Sequence, residues 1–158
     1  MAPPKFLADE MVGRLARYLR FVGCDTLYAK GMDDLEIEKL AREHGRILVT
    51  RDRELARRTT GSILLESPSL GDQWAAVRAA VPELPRELAF VRCTECNGEL
   101  AALRAPFSEP RPEGVPWDRV DSGLPLYRCL SCQHLYWEGT HTERIRAQLR
   151  AWNEDAPE

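Results

Sequence analysis

An α/β fold is what this sequence predicts: a parallel sheet flanked by helices, followed by a small metal-stapled ribbon. Three observations predict it. Strand-length apolar runs alternate with helix-length amphipathic segments up to about residue 90. Two C-x-x-C pairs, Cys93/Cys96 and Cys129/Cys132, occur only beyond that point, with 32 residues between them. The stretch 104–126 between the pairs carries Pro106, Pro110, Pro112, Pro116 and Pro125. Two domains are therefore expected, 1–90 and 91–158.

The elements follow in order. Residues 5–8 form a first strand. Residues 11–22 form an amphipathic helix. Val12, Leu15, Leu19 and Val22 share one face, and Arg14, Arg17 and Arg20 the opposite one. Gly23 stops it. Residues 26–28 are a second strand. Asp33 or Asp34 caps a helix to about His44, with Ile37, Leu40 and Ala41 inward and Gly45 as the stop. Residues 47–50 are a third, β-branched strand. A short helix at 53–58, a strand at 62–65 and a helix at 72–81 complete this half. Strands separated by such helices form a parallel sheet with right-handed crossovers. In the second half, Phe90-Val91 and Leu135-Tyr136-Trp137 read as strand, 104–126 as loop without helix, and Thr140 or Thr142 as the cap of a final helix reaching Trp152.

Composition narrows the functional classes. The 158 residues are 44% hydrophobic and 30% charged, with a formal charge of −3. A packed core is affordable, and a strongly basic nucleic-acid wrapper is excluded. No apolar run reaches about 18 residues, so no membrane helix is expected. The beginning of the chain turns acidic too early for a secretory signal, so the cytoplasm is the expected location. A homodimer is left open. Five cysteines is an odd number, and four of them fall in the paired motifs. In a reducing compartment this reads as metal, not disulfide. Cys93, Cys96, Cys129 and Cys132 can close a tetrahedral zinc site, and four soft ligands leave no open position, so that site is structural. Cys24 is read as a small buried hydrophobe.

Ligands of a parallel α/β sheet gather at the carboxyl ends of its strands. Asp9 follows the first strand, Asp34 the second and Asp52 the third. Each also precedes a helix, where aspartate is a favoured cap. Three carboxylates on one rim can hold Mg²⁺ or Mn²⁺, which prefer hard oxygen ligands, and such an ion can drive phosphodiester hydrolysis. A phospho-acceptor receiver would show a similar acidic pattern but needs a later lysine; Lys5, Lys30 and Lys39 all precede Asp52. Arg14, Arg51 and Arg53 lie nearest the acids and are candidates for phosphate contact, with Arg57 and Arg58 beyond. His141 is a candidate for phosphate or base contact. Trp117, Tyr127, Tyr136 and Trp137 can stack on single-stranded RNA or pack around the ribbon.

Phe6-Leu7-Ala8-Asp9-Glu10-Met11, the run 13–20 and Gly23-Cys24-Asp25-Thr26 resemble the opening of the Mut-7 C-terminal ribonuclease domain family. Residues 47–53 resemble its second block. The paired C-x-x-C motifs with Tyr136-Trp137-Glu138-Gly139-Thr140-His141 resemble its zinc-ribbon tail, so the likeness spans about residues 5–150. The resemblance implies a PIN-like fold with a C-terminal zinc ribbon and metal-dependent RNA cleavage, with Asp9, Asp34 and Asp52 on its acidic positions and Asp33 as a substitute for Asp34. The further acid of larger PIN domains has no clear counterpart here. The competing expectation is a non-catalytic RNA- or protein-binding module that keeps the acids as caps.

Overall fold

The computed structural model describes residues 2–155, so the outer limits 1 and 158 of the expected domains lie outside it. The first half runs β1 (Phe6–Ala8), α1 (Gly13–Phe21), β2 (Thr26–Tyr28), α2 (Asp34–Glu43), β3 (Ile47–Thr50), α3 (Arg53–Arg58), β4 (Ile63–Leu64) and α4 (Leu70–Ala80). The sheet order is β2-β1-β3-β4 and every pairing is parallel. Central β1 pairs Phe6 with both Thr26 and Ile47. Its three residues are fully buried, as a strand covered by helices on both faces requires.

Side chains alternate between two cores. Phe6, Ala8 and Val49 share a cluster with Leu15 and Leu19 of α1 and Trp74 and Val77 of α4. Leu7 and Leu48 point the other way, against Ile37 and Ala41 of α2 and Leu55 of α3. Each fully buried leucine contributes roughly 1.5–3 kcal/mol.

The second half forms an antiparallel sheet of β5 (Leu100–Leu103), β6 (Leu126–Cys129) and β7 (Leu135–Trp137) in the order β5-β6-β7. The chain then returns as α6 (Thr140–Glu154). Ile145 and Leu149 enter the same cluster as Phe6 and Leu15. The Trp152 ring lies 4.8 Å from Tyr18 and 6.0 Å from Trp74. The buried Arg78 of α4 donates from Nη1 to the carbonyls of Trp152 and Asn153, both at 3.1 Å, satisfying groups that the end of a helix leaves free.

The structure departs from the sequence expectations at several elements. The expected helix 11–22 opens as a 3-10 turn, Glu10–Val12, before α1 begins at Gly13. Arg20 is not on a solvated face. It is buried, and donates from Nε to the Thr26 carbonyl and from Nη1 to the Thr94 carbonyl, both at 2.9 Å. Its long stem packs while its guanidinium satisfies backbone acceptors, which periodicity does not register. Phe90-Val91 is not a strand; only an isolated bridge, Arg92 with Glu99, forms there. The stretch 104–126 does contain a helix, α5 (Trp117–Asp121). Pro116 sits at its N-cap, where a missing N–H costs nothing.

Candidate active site and metal centre

Strand order sets the acidic rim. Asp9 follows central β1, Asp52 follows β3 on one side, and Asp33 and Asp34 follow β2 on the other. Thr50 links the first two. Its hydroxyl donates to Asp9 Oδ2 at 2.7 Å and accepts from the Asp52 N–H at 3.0 Å. Asp52 caps α3, its Oδ1 accepting from the Leu55 N–H at 3.0 Å. Asp33, not Asp34, caps α2, in a capping box with Glu36. Asp34 is the exposed first residue of that helix. None of Asp9, Asp34 and Asp52 makes an ion pair among the described residues. These three carboxylates do not close into a tight cluster. Among the described residues the four cysteines are the one group of three or more metal-ligating side chains whose ligand atoms all lie within 4.8 Å of one another.

That group, Cys93, Cys96, Cys129 and Cys132, is assembled by two matching turns. Each C-x-x-C is followed by a residue in the left-handed region, Asn97 and Gln133, both at φ +69°. The turns aim N–H groups at sulfur: Ser131 and Cys132 donate to Cys129 Sγ, and Gly98 to Cys96 Sγ, all at 3.4 Å. Burial raises the Cys129 thiol, but the Cys132 and Ser131 N–H groups and the neighbouring sulfurs more than offset this and bring it to about 7. Sulfur separations are 3.7 Å for Cys93–Cys132 and 3.4 Å for Cys96–Cys129. A tetrahedral ion with Zn–S distances of about 2.3 Å would space its sulfurs about 3.8 Å apart. The four cysteines can therefore hold a metal ion with little movement.

The Mut7-C RNAse domain model matches residues 4–149. The chain belongs to the Mut7-C family. No curated protein and no solved structure matches it.

In this Mut7-C chain the first knuckle is clamped to the edge of the parallel sheet. Asn97 accepts from the Thr26 N–H at 2.8 Å and donates to Asp25 Oδ1 at 2.7 Å. Arg46 meets the same carboxylate at 2.9 Å, and Arg20 ties Thr26 to Thr94. Tyr136 Oη lies in hydrogen-bond contact with Cys93 Sγ at 3.0 Å and accepts from the Thr94 N–H at 3.2 Å. Sequence reasoning did not find Thr50, Arg20, Asn97 or the sulfur partner of Tyr136. Only Asn97 carried a signal: an asparagine followed by glycine directly after a C-x-x-C suits a left-handed turn.

The arginines divide. Arg14 is exposed, and neither it nor Arg51 makes an ion pair among the described residues. Arg51 keeps a buried Nε without an acceptor among the described residues. Arg53 pairs with Glu66 at 3.0 Å, Arg58 with Glu38 at 2.6 Å, and Arg57 with Glu54. Trp117 packs on Phe107 under Arg111, Tyr127 stacks on Phe90, and exposed His141 lies edge-on to Phe21. Cys24 is fully buried, and burial pushes its thiol to about 12.

Proposed function

We propose that this protein is a metal-dependent ribonuclease that hydrolyses RNA phosphodiester bonds on the rim formed by Asp9, Asp52 and Asp34. Family membership supports a nuclease role. The observation that carries the assignment of residues is the Asp9–Thr50–Asp52 chain on adjacent strand ends. Asp9 Oδ1 and Asp52 Oδ2 have no hydrogen-bond donor among the described residues, which leaves hard oxygen ligands free on an unneutralised rim. These donors fit Mg²⁺ or Mn²⁺. Such an ion, when bound, supplies an acidified water and offsets charge on the phosphodiester. Asp9 and Asp52 would hold it, and Asp34, whose neighbour Asp33 is committed to its cap, would complete the rim. Thr50 fixes the Asp9 carboxylate. Arg14 and Arg51 would orient the phosphate, and Arg53 could join them, since an exposed pair such as Arg53–Glu66 is worth only about 0–1 kcal/mol.

The cysteines would hold structural zinc, which stabilises the ribbon and takes no part in the reaction. The test is cleavage of a mixed RNA pool with Mg²⁺, with Mn²⁺ and with chelator. Cleavage that needs the ion and disappears in Asp9→Asn and in Asp52→Asn, with both variants folded, supports the assignment. Full activity in either variant removes it. RNA bound but never cut would instead favour a non-catalytic RNA-binding module, with Asp52 serving only as the cap of α3.

A further inference from the structure

A cavity of about 290 Å³ lies where α1, the 88–92 segment, β7 and the first turn of α6 meet. It is remote from the acidic rim. Helix α1 starts at the carboxyl ends of the strands, where Gly13 lies against the Tyr28 ring, and ends at their amino ends. Arg17 reaches the cavity from the middle of the helix and Phe21 from its far end. Nine residues at about 1.5 Å each put the far end of α1 roughly 13 Å from its start beside the rim, along the helix axis.

The cavity walls are rigid aromatic surface with positive charge. Phe90 is held by stacking on Tyr127, 4.7 Å between centroids and 5° between planes. Tyr136 is held by its bonds to Cys93 and Thr94. Trp137 stacks on no other ring among the described residues, and its indole N–H has no acceptor there. Arg92 donates from Nη1 to the Asn97 carbonyl at 3.2 Å while its buried Nε lacks a partner among the described residues. Among the described residues the sole acid in the lining is Glu95, whose pair with Arg17 at 3.5 Å is half-exposed and therefore weak. Flat rings beside two guanidinium groups, in a chain whose net charge is −3, complement a base joined to a phosphate.

We propose that this cavity binds one nucleotide of the single-stranded RNA whose scissile phosphate lies on the acidic rim, its base against Trp137 and Tyr136 and its phosphate at Arg17 and Arg92. This rests on the ribonuclease reading above. One strand reaches both places only if it extends beyond the nucleotide held in the cavity, so an unpaired strand gains a contact that a single nucleotide lacks.

The experiment is binding of fluorescein-labelled oligouridylates of 3 and 12 nucleotides to the zinc-loaded chain at several salt concentrations, without Mg²⁺ or Mn²⁺. The longer probe should bind much more tightly than the shorter. Trp137→Leu should weaken the 12-mer about fivefold or more. Arg17→Gln should lower its salt slope by about 0.7. A 4-thiouridine 12-mer irradiated on the wild-type chain should cross-link within residues 134–141, a readout independent of how the variants fold. Wild-type binding in both variants, or cross-links confined to other segments, overturns the cavity and leaves the ribonuclease reading standing. No binding of either oligonucleotide, together with no cleavage of the mixed pool, overturns both.

Discussion

Replacing Asn97 by alanine tests whether the knuckle is welded to the sheet. Asn97 is buried at φ +69° and bridges the Thr26 N–H and the Asp25 carboxylate. Thr26 is fully buried, so its orphaned N–H costs about 1–3 kcal/mol. Asp25 loses one donor but keeps Arg46, for about 1 kcal/mol more. A Cβ-bearing residue without a local hydrogen bond adds about 1 kcal/mol in the left-handed region. The sum is about 4 kcal/mol, a fall in melting temperature of roughly 8–16 °C for a chain of this size. Asn97→Gly removes the same hydrogen bonds but not the backbone freedom, so it should recover about 1 kcal/mol of the loss. Thermal unfolding with zinc in excess reads both. If Asn97→Ala melts within about 2 °C of wild type, or Asn97→Gly falls as far as Asn97→Ala, the clamp does not act as described.

Four further outcomes are expected. Gly98→Ala would place a Cβ 2.8 Å from Cys129 Sγ and from Ser131 Oγ, so it should lower metal affinity in a competition titration with a chromogenic chelator. Asp52→Asn should keep the cap of α3 and melt near wild type, whereas Asp52→Ala should lose about 1 kcal/mol, and neither should cleave RNA. Burial raises the Asp25 carboxyl, but hydrogen bonds from Arg46 and Asn97 outweigh that and hold it below its ordinary value of 3.8. The stability it supplies is thus complete above about pH 4 and lost as pH falls through its lowered folded value. The melting difference between wild type and Asp25→Asn should accordingly be constant near neutrality and shrink in acid. Stripping metal with a strong chelator should lower the melting of Trp74, buried between α4 and α6, and not only signals from the ribbon, because Arg20 and Asn97 join the two; near-ultraviolet circular dichroism measures this.

The parallel sheet was legible because its signals are local. The apolar runs at β1, β2 and β3 and the glycine stops at Gly23 and Gly45, with φ of +93° and +61°, each act within a few residues. The cysteine cluster was legible because the spacing of two C-x-x-C pairs alone names the four residues that the fold brings together. The long-range polar contacts were not. Arg20 falls on the polar side of a helical repeat, and only the arrival of Thr94, 74 residues later, makes that side an interior one. Thr50 is an unremarkable end to a branched strand until β1 brings Asp9 alongside it. Pro116 disguised α5 because a proline count does not distinguish a cap from an interior position. For the acids, the sequence order placed Asp9, Asp34 and Asp52 after successive strands but left their spacing open, since loop conformation decides how near Asp34 comes to Asp9.

Helix α6 has a consequence for how the protein is made. Ile145 and Leu149 complete the layer that Leu15 and Leu19 begin, across more than a hundred intervening residues. While the chain is being synthesised, the sheet and its first four helices emerge with part of that layer still wet. Its closure must await translation of residues 140–154. Contacts of such sequence separation slow folding and leave apolar surface open to other chains meanwhile. A nascent chain stalled within the ribbon, its cysteines already complete, would therefore still present a sticky flank to chaperones, and its release as a settled molecule would depend on a helix that contributes no cysteine to the cluster.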